Sequence, residues 1–311
     1  MDLMYDYAFK LFFSNRRRLI LLLNAIFANK NIPRVIEELT IIDPSVRKKN
    51  KKDKHSIIDL QAKLSDGLFI LIEIHLYDFI DFKYKSVRNW ARIFSSELEE
   101  GQDYIESKPV ICISFLYGPI SDKDNNPIDN VHSLFHIMER DSGKILVPDM
   151  ELHYINMQAF VKEFNTNIIP QDEPELDMFT LWLALITQEK ITDKKALSNI
   201  YQKEREIMMA VKELSRMSQD KQKWLAYQRR LDEINSHALM KKYLDESVRR
   251  ADMFEQRANV FEQRAIKSDQ RADMFEQRAI KSDSNVEALI KFISDMGISE
   301  EEIKRKINLS E

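Results

Sequence analysis

A seven-residue repeat near the C terminus limits the fold more than any other feature of the chain. Five arginines recur at this interval, each followed by alanine: Arg250, Arg257, Arg264, Arg271 and Arg278. The second recurring position of the same helical face holds Phe254, Phe261, Ser268, Phe275 and Ser282. A seven-residue period is typical of a coiled coil, so we predict a heptad-repeat helix that joins copies of the chain into a homo-oligomer. A single solvated helix is the alternative, because alanine and serine make a weak core.

Residues that break helices are rare in the whole chain. Its 311 residues include 5 glycines and 8 prolines, whereas β-sandwiches and barrels need frequent turns. Helical and strand-like segments alternate in the first half, and the second half reads as helix. We therefore predict an α/β domain over residues 1–172, a helical region over 173–245, the heptad segment over 246–285 and short helices over 286–311.

Charge and hydropathy narrow the classes of partner. The chain has 47 Lys and Arg against 51 Asp and Glu, a net charge of −4, so any DNA-binding surface must be a local patch. The longest apolar stretch, Leu19–Ala28, is far shorter than the roughly 20 residues that span a bilayer. We therefore expect no membrane partner and a cytoplasmic location.

Two kinds of zinc site do not fit the sequence. The single cysteine, Cys112, excludes a cysteine-rich site and a disulfide within the chain. His132 and His136 have the spacing of a zinc-binding helix, but no glutamate directly follows His132, as the zinc hydrolase motif requires. We interpret these histidines as surface or packing residues.

The first half of the chain predicts helices around a small group of strands. Helix is predicted over residues 3–29, with a break near Ser14, and again over 79–100. The predicted strands are Val35–Ile42, Ile57–Lys63, Leu68–Leu76, Pro109–Tyr117 and Glu151–Met157. The apolar strand after Pro109 reads as buried on both faces.

The second and third predicted strands form a hairpin that brings two acids together. A three-residue loop, Ser65-Asp66-Gly67, with glycine in the left-handed position is a common closure. Pairing that is symmetric about Asp66 places Asp59 opposite Glu73, with Cβ atoms about 4.5–5.5 Å apart. A bulge at Gly67 would shift this register by one residue.

Two opposed carboxylates repel each other, and a divalent cation between them removes the repulsion. Mg²⁺ prefers oxygen ligands and commonly binds one or two carboxylates together with a substrate phosphate. We predict that Asp59 and Glu73 bind Mg²⁺ or Mn²⁺, that His75 holds or deprotonates the attacking water, and that Lys63 reaches a phosphate. Acids that merely face solvent are the commoner explanation of such spacing, so the pattern alone does not decide.

A basic run precedes the hairpin. Residues 47–54 contain six basic residues and one acid. This run is either a solvated loop or a loop that contacts DNA phosphates. In the second case the contacts come from Lys48, Lys49, Lys51 and Lys52.

The first 120 residues resemble the recombination-promoting nucleases, also described as PD-(D/E)XK nuclease family transposases. The resemblance rests on segments in the family's order: Asp6–Phe12, Leu22–Ile26, Ile58–Lys63, Ile72–His75, Trp90–Leu98 and Lys108–Ile111. Each motif is weak alone, but their order and spacing match together. The resemblance implies a restriction-endonuclease-like core, a mixed sheet flanked by helices, and a metal-dependent DNA endonuclease associated with recombination or mobile elements.

The resemblance also implies roles for single residues. Asp59 and Glu73 match the metal-binding acids, and Asp6 matches an acid of the first helix that completes the site. Gln61 stands where the family has arginine, and His75 where it has glutamine. Because histidine carries no permanent charge, two outcomes stay open. Either His75 acts as a base, or the chain is a weakened nuclease that binds DNA or proteins through its helical half.

Overall fold

The computed structural model describes residues 1–42, 60–76, 82–98, 101–169 and 176–307 of the chain. The chain divides into two compact units, Met1–Glu233 and Ile234–Glu311. The first unit contains a mixed sheet flanked by helices, as the sequence predicts for an α/β core. Among the helices within these ranges, none combines the length and the apolar character that crossing a bilayer requires.

Within the described residues the chain forms eight strands. They are β1 (Thr40–Ile42), β2 (Leu60–Lys63), β3 (Phe69–His75), β4 (Val110–Leu116), β5 (Ile120–Ser121), β6 (Pro127–Ile128), β7 (His132–Phe135) and β8 (Met150–Asn156). Six of them form one sheet in the order β1-β2-β3-β4-β8-β7, and β5 pairs with β6 separately. The central strands β3, β4 and β8 are parallel, and the outer pairs are antiparallel.

Nine helices lie in the same ranges. They are α1 (Asp6–Phe13), α2 (Arg16–Asn29), α3 (Phe82–Ser96), α4 (Met157–Asn165), α5 (Met178–Ile186), α6 (Lys194–Lys203), α7 (Arg205–Gln219), α8 (Lys221–Asp295) and α9 (Glu300–Ile307). The predicted break near Ser14 is confirmed. There the Asn15 side chain accepts a hydrogen bond from the backbone nitrogen of Arg18 at 3.1 Å and caps α2.

The hairpin of β2 and β3 has the predicted register. Residues 60–63 pair with residues 69–72 symmetrically about Asp66, so no bulge shifts the strands over this range. Gly67 has a φ of +94°, a conformation that residues with a Cβ rarely adopt. The Asp66 carboxylate accepts a hydrogen bond from the Leu68 backbone nitrogen at 3.0 Å. The turn therefore fixes which residues of the two strands oppose each other.

Alternation along the strands gives the sheet two apolar faces. One face packs on α1, α2 and α5 and carries Ile70, Ile72, Ile74, Ile111, Ile113, Phe115 and Ile155. The opposite face packs on Phe82 and Ile93 of α3 and carries Phe69, Leu71, Val110, Cys112, Leu152 and Tyr154. We call these the α2 face and the α3 face. Each fully buried large apolar side chain stabilises the fold by about 1.5–3 kcal/mol.

The helices after the sheet belong to the same core. Helix α5 is buried along most of its length, and its Trp182 ring packs 5.7 Å from the Phe13 ring of α1. Leu197 of α6 and Ile207 of α7 join the same cluster. Helices α5, α6 and α7 therefore pack on the α2 face and extend its core. Residues 246–285 lie within α8, and their pairing with a second copy stays a prediction.

Two parts of the strand prediction are wrong. The strand predicted over Val35–Ile42 is confined to Thr40–Ile42, because Asn24 of α2 hydrogen-bonds both the nitrogen and the oxygen of Ile36, at 2.7 and 2.9 Å. These bonds occupy the groups that a neighbouring strand would use. Strand β7 was not predicted, because an edge strand that begins His132-Ser133 lacks a strand's apolar pattern.

Candidate active site

Glu73 is a buried carboxylate with three polar neighbours among the described residues. It lies near the end of β3 on the α3 face, and only 4% of the residue is exposed. Its Oε2 lies 3.0 Å from Lys85 Nζ and 3.3 Å from His75 Nε2, and its Oε1 accepts a hydrogen bond from Asn89 Nδ2 at 2.8 Å. A buried charge is stable only when it is paired and hydrogen-bonded, and these neighbours meet that requirement.

Helix α3 delivers two of these neighbours. Lys85 and Asn89 are four residues apart and therefore share one face of the helix. The hydroxyl of Ser86, between them in sequence, hydrogen-bonds the phenol of Tyr154 on β8, which fixes the helix to the sheet. Burial is the main cause that raises the pKa of Tyr154 to about 12, so this phenol stays protonated at neutral pH. The Phe82 ring, 4.7 Å from the His75 ring, holds the start of the helix.

Glu73 is ionised in this setting. Burial alone raises the pKa of the Glu73 carboxyl, but His75 and Lys85 favour the charged form and bring the pKa below its usual value. The nearby Cys112 thiol responds in the opposite sense. Its burial, followed by the charge of Glu73, raises the pKa of Cys112, so the thiol stays neutral. Cys112 is thus a packing residue and not a nucleophile.

Lys85 contacts both Glu73 and His75. The Lys85 Nζ lies 3.0 Å from His75 Nε2 as well as 3.0 Å from Glu73 Oε2. An ammonium group only donates, so Lys85 donates to Glu73 and, when His75 Nε2 carries no proton, to His75 as well. When Nε2 carries the proton, it donates to Glu73 instead. Lys85 thus supplies the permanent positive charge that histidine at position 75 lacks.

Lys63 lies on the same face as Glu73 but toward the hairpin turn. Its ammonium lies over the Phe69 ring, 4.6 Å from the ring centre. It also lies 3.7 Å from Oε2 of Glu97, the residue that directly follows α3. The Lys63 side chain is 44% exposed, so it can leave these partners for a phosphate. Asp59 and the predicted phosphate contacts Lys48, Lys49, Lys51 and Lys52 lie outside the described residues.

The structure places Asp6 with a different partner. Arg230 of α8 donates to the Asp6 carboxylate, with its terminal nitrogen 2.7 Å and its Nε 3.1 Å from Oδ2. These bonds raise the pKa of Arg230 further above its already high value. Helix α1 packs on the α2 face, whereas Glu73 points to the α3 face. The structure therefore brings Glu73 and His75 together and holds Asp6 in an ion pair elsewhere.

An unsatisfied oxygen bears on whether a cation fits beside Glu73. Gln61 pairs with Leu71 and so lies diagonally from Glu73 on the α3 face, a relation that separates Cα atoms by about 7–8 Å. Its Oε1 is buried, and it is one of two buried side-chain polar atoms that lack a hydrogen-bond partner among the described residues. A carboxylate and an amide oxygen on one face match the ligands that Mg²⁺ and Mn²⁺ prefer. The described ranges contain no group of three His, Cys, Asp or Glu side chains that could hold a metal.

Sequence reasoning missed Lys85 and Asn89. The sequence predicts a helix over 79–100 but does not single out its polar side chains. A signal is present, because Lys85 and Asn89 stand at helical spacing in the helix that follows the strand carrying Glu73. What the spacing does not give is the direction in which this helical face points.

The fold and the site define an α/β protein with a buried acid beside a lysine. A family model, PD-(D/E)XK nuclease family transposase, matches residues 3–243. The chain therefore belongs to this family, and the predicted resemblance is confirmed. Nucleases of the PD-(D/E)XK type generally use divalent metals. No curated protein and no solved structure matches the chain.

Proposed function

We propose that this protein is a DNA endonuclease that depends on a divalent metal and hydrolyses phosphodiester bonds at Glu73. The observation that carries the proposal is the pairing of the buried, ionised Glu73 with Lys85 Nζ at 3.0 Å. A buried acid beside a cation, in a member of a nuclease family, matches the needs of phosphoryl transfer. A role in recombination or mobile elements, in the cytoplasm, is part of the same proposal.

We assign Asp59 and Glu73 as the residues that would hold Mg²⁺ or Mn²⁺. Asp59 directly precedes Leu60, and one further step of the register that pairs Leu60 with Ile72 would set it opposite Glu73. The Gln61 oxygen, which has no hydrogen-bond partner in the described part of the chain, is a further candidate ligand on this face. A divalent ion, when bound, supplies positive charge that stabilises the developing charge on the phosphoryl group.

The chain's own residues have separate tasks in this proposal. Lys85 contacts a non-bridging phosphate oxygen and stabilises its negative charge, as only a permanent cation can over the whole neutral range. When Lys85 turns to the phosphate, His75 Nε2 is free to accept the proton of the attacking water. Lys63 and the run with Lys48, Lys49, Lys51 and Lys52 contact phosphates on either side of the cut. The role of Asp6 stays a prediction of the resemblance.

Self-association through the heptad segment is the second part of the proposal. A single active site cuts one strand at a time, whereas two copies held together offer two sites to one duplex. The exposed apolar side chains of the segment, such as Phe254 and Phe275, are the surface that would bind the second copy.

Nicking of a supercoiled plasmid tests the proposal. We expect the wild type to nick DNA with Mg²⁺ or Mn²⁺ and to stop when the metal is chelated. Glu73→Gln should lose at least a hundredfold in rate, because the neutral amide binds a divalent cation far more weakly than a carboxylate and lacks the charge that pairs with Lys85. The matched control is Glu151→Gln, an equally buried glutamate on the α2 face, which should nick normally wherever it folds.

The result also decides between the two outcomes that the sequence leaves open. Equal nicking by the wild type and Glu73→Gln would refute the assigned site. If no metal restores nicking and the wild type binds DNA without Mg²⁺, the weakened nuclease that acts as a binding module is correct. Asp6→Asn in the same assay tests whether that acid takes part.

A further inference from the structure

The second unit presents an apolar stripe to solvent. In coiled-coil notation, position a holds Ala251, Ala258, Ala265, Ala272, Ala279, Val286 and Ile293, and position d holds Phe254, Phe261, Ser268, Phe275, Ser282 and Leu289. The residues Phe254 and Phe275 are each 68% exposed, and Leu289 is 62% exposed. Three large side chains so exposed on one helical face indicate a surface that binds a partner.

The charges that flank this stripe are sorted by sign. Position g, on one side, is arginine in five successive heptads: Arg250, Arg257, Arg264, Arg271 and Arg278. Position e, on the other side, is acidic in the same heptads: Glu255, Glu262, Asp269, Glu276 and Asp283. Helix surfaces that only need solubility mix both signs, so this separation requires another explanation.

The helix itself does not supply partners for these arginines. Side chains on one helix reach each other three or four residues apart. None of the positions at these distances from Arg257, Arg264, Arg271 and Arg278 is acidic; they are methionine, phenylalanine, valine, lysine or serine. Acidic partners for these four arginines must therefore lie outside their own helical face.

We propose that the stripe binds a second copy of this chain in a parallel, in-register, two-stranded coiled coil. In that arrangement each g residue faces the e residue five positions later on the other helix. Arg257 then pairs with Glu262 of the partner subunit, and each of the other four arginines meets an acid in the same way. An antiparallel pair would set arginine against arginine and acid against acid, which disfavours it along the whole segment.

The orientation depends on these charges because the core is weak. Alanine at a and serine in part of d bury little apolar surface, so the flanking pairs decide the alignment. This inference rests on the proposed self-association of the heptad segment and adds its direction. The direction also bears on cleavage. Each Met1–Glu233 unit precedes the coil in its chain, so a parallel pair connects both units to the same end of the coil.

Cysteine crosslinking in the full-length protein tests the direction. Ala251→Cys and Ala279→Cys each place one thiol at position a, and the two sites are 28 residues, or about 42 Å of helix, apart. In a parallel, in-register pair each site faces its own copy, so both variants should form a disulfide-linked dimer on mild oxidation. Gln256→Cys, at the outward position f, is the control and should stay unlinked. The native Cys112 is buried and serves as the unmodified background.

Each outcome decides something different. An antiparallel pair can link a site to itself only near its centre, so a dimer that links at one site or at neither would overturn the parallel direction while leaving self-association intact. A monomer in sedimentation at micromolar concentration would overturn both. Plasmid nicking by the same samples reports on the nuclease site, so that proposal stands or fails separately.

A charge substitution gives a second, independent measurement. The variant Glu255→Lys, Glu262→Lys and Glu276→Lys should weaken self-association at least tenfold at low salt, because lysine would then face arginine. In an antiparallel pair of the same five heptads, positions 262 and 276 exchange an acid–acid contact for a lysine–lysine contact, and position 255 becomes opposite in charge to Asp283, so the association should not weaken. The exposed positions and the helix-forming lysine keep the helix intact.

Discussion

Two buried glutamates on opposite faces of the sheet have the same sequence context and different surroundings. Glu73 on β3 and Glu151 on β8 are each followed two residues later by a histidine whose Nε2 lies 3.3 Å from the glutamate's Oε2. They are 4% and 5% exposed. Beside Glu73, His75 is 28% exposed, whereas His153 beside Glu151 is fully buried. The first pair is partly open to solvent through His75, and the second is closed.

The closed pair is part of a buried chain of polar side chains. Arg34 donates two hydrogen bonds to the Glu151 carboxylate, at 3.1 and 3.2 Å. His153 contacts His132 Nε2 with its Nδ1 at 3.0 Å, and His132 contacts Asn29 with its Nδ1 at 2.8 Å. Because every member has its partners within the fold, this chain stabilises the packing of α2 on the sheet and offers nothing to a ligand.

Burial keeps both histidines of this chain neutral. It is the main cause that lowers the pKa of His132, to about 3, and it lowers the pKa of His153. The four ring nitrogens include His132 Nδ1, which lies 2.8 Å from the side-chain oxygen of Asn29, and His153 Nε2, which lies 3.3 Å from Glu151 Oε2. The two rings contact each other through the remaining nitrogens at 3.0 Å, so the polar chain is continuous from Asn29 to Glu151.

The comparison shows what separates a structural acid from a candidate functional one. Arg34 holds Glu151 with a rigid, two-pronged contact and leaves no oxygen for a substrate. Lys85 holds Glu73 with a single, partly exposed point charge that can move to a phosphate. Both glutamates stand two residues before a histidine, and they differ in the cation that contacts them: Lys85 for Glu73 and Arg34 for Glu151.

The largest effect that we predict is on stability, where Arg34 should contribute much more than Lys85. Arg34→Met should lower the free energy of unfolding by about 3 kcal/mol, because it leaves the buried Glu151 charge with only a neutral histidine. The folded fraction should still nick DNA. Urea denaturation measures the first quantity, and nicking corrected for the folded fraction measures the second. A change below 1 kcal/mol would mean that Glu151 is not a structural acid.

Lys85→Met tests the pair of Glu73 and His75. For this variant we expect a large loss of activity and a small loss of stability. We expect nicking to fall tenfold to a hundredfold, since the only permanent cation that contacts Glu73 among the described residues is lost. Stability should fall by about 1 kcal/mol at most, because the Lys85 side chain is 30% exposed and Asn89 still binds the carboxylate. Lys85→Arg keeps the charge and should retain more activity than Lys85→Met. Equal activity of the two variants would contradict a role for the charge.

The smallest effect that we predict is the pH dependence of stability that comes from His132. The pKa of His132 is lowered in the fold, so the unfolded chain binds more protons below about pH 6.5. Its contribution to stability is therefore complete above pH 6.5 and is lost progressively as the pH falls toward 3. Between pH 7.5 and 5.5 we expect a loss of about 1 kcal/mol that is absent in His132→Gln. Thermal or urea unfolding at both pH values measures the difference, and the same slope in both proteins would exclude His132 as its source.

The hairpin was predictable because its determinants are local. Gly67 needs a left-handed conformation, the three-residue loop sets the register, and alternation puts Glu73 on a known face. The break before α2 was predictable for the same reason, since Asn15 caps its own helix. The ion pair of Asp6 with Arg230 was not, because 224 residues separate the two side chains.

The sequence by itself determined most of the element types, the register of β2 with β3 and the sign pattern along the heptads, since each follows from residues within a few positions of one another. Only the tertiary structure decided which cation reaches which glutamate. Lys85 arrives through the docking of α3, and Arg34 reaches Glu151 across 117 residues. Such contacts depend on how whole elements pack, and packing is a property of the complete core rather than of any one segment.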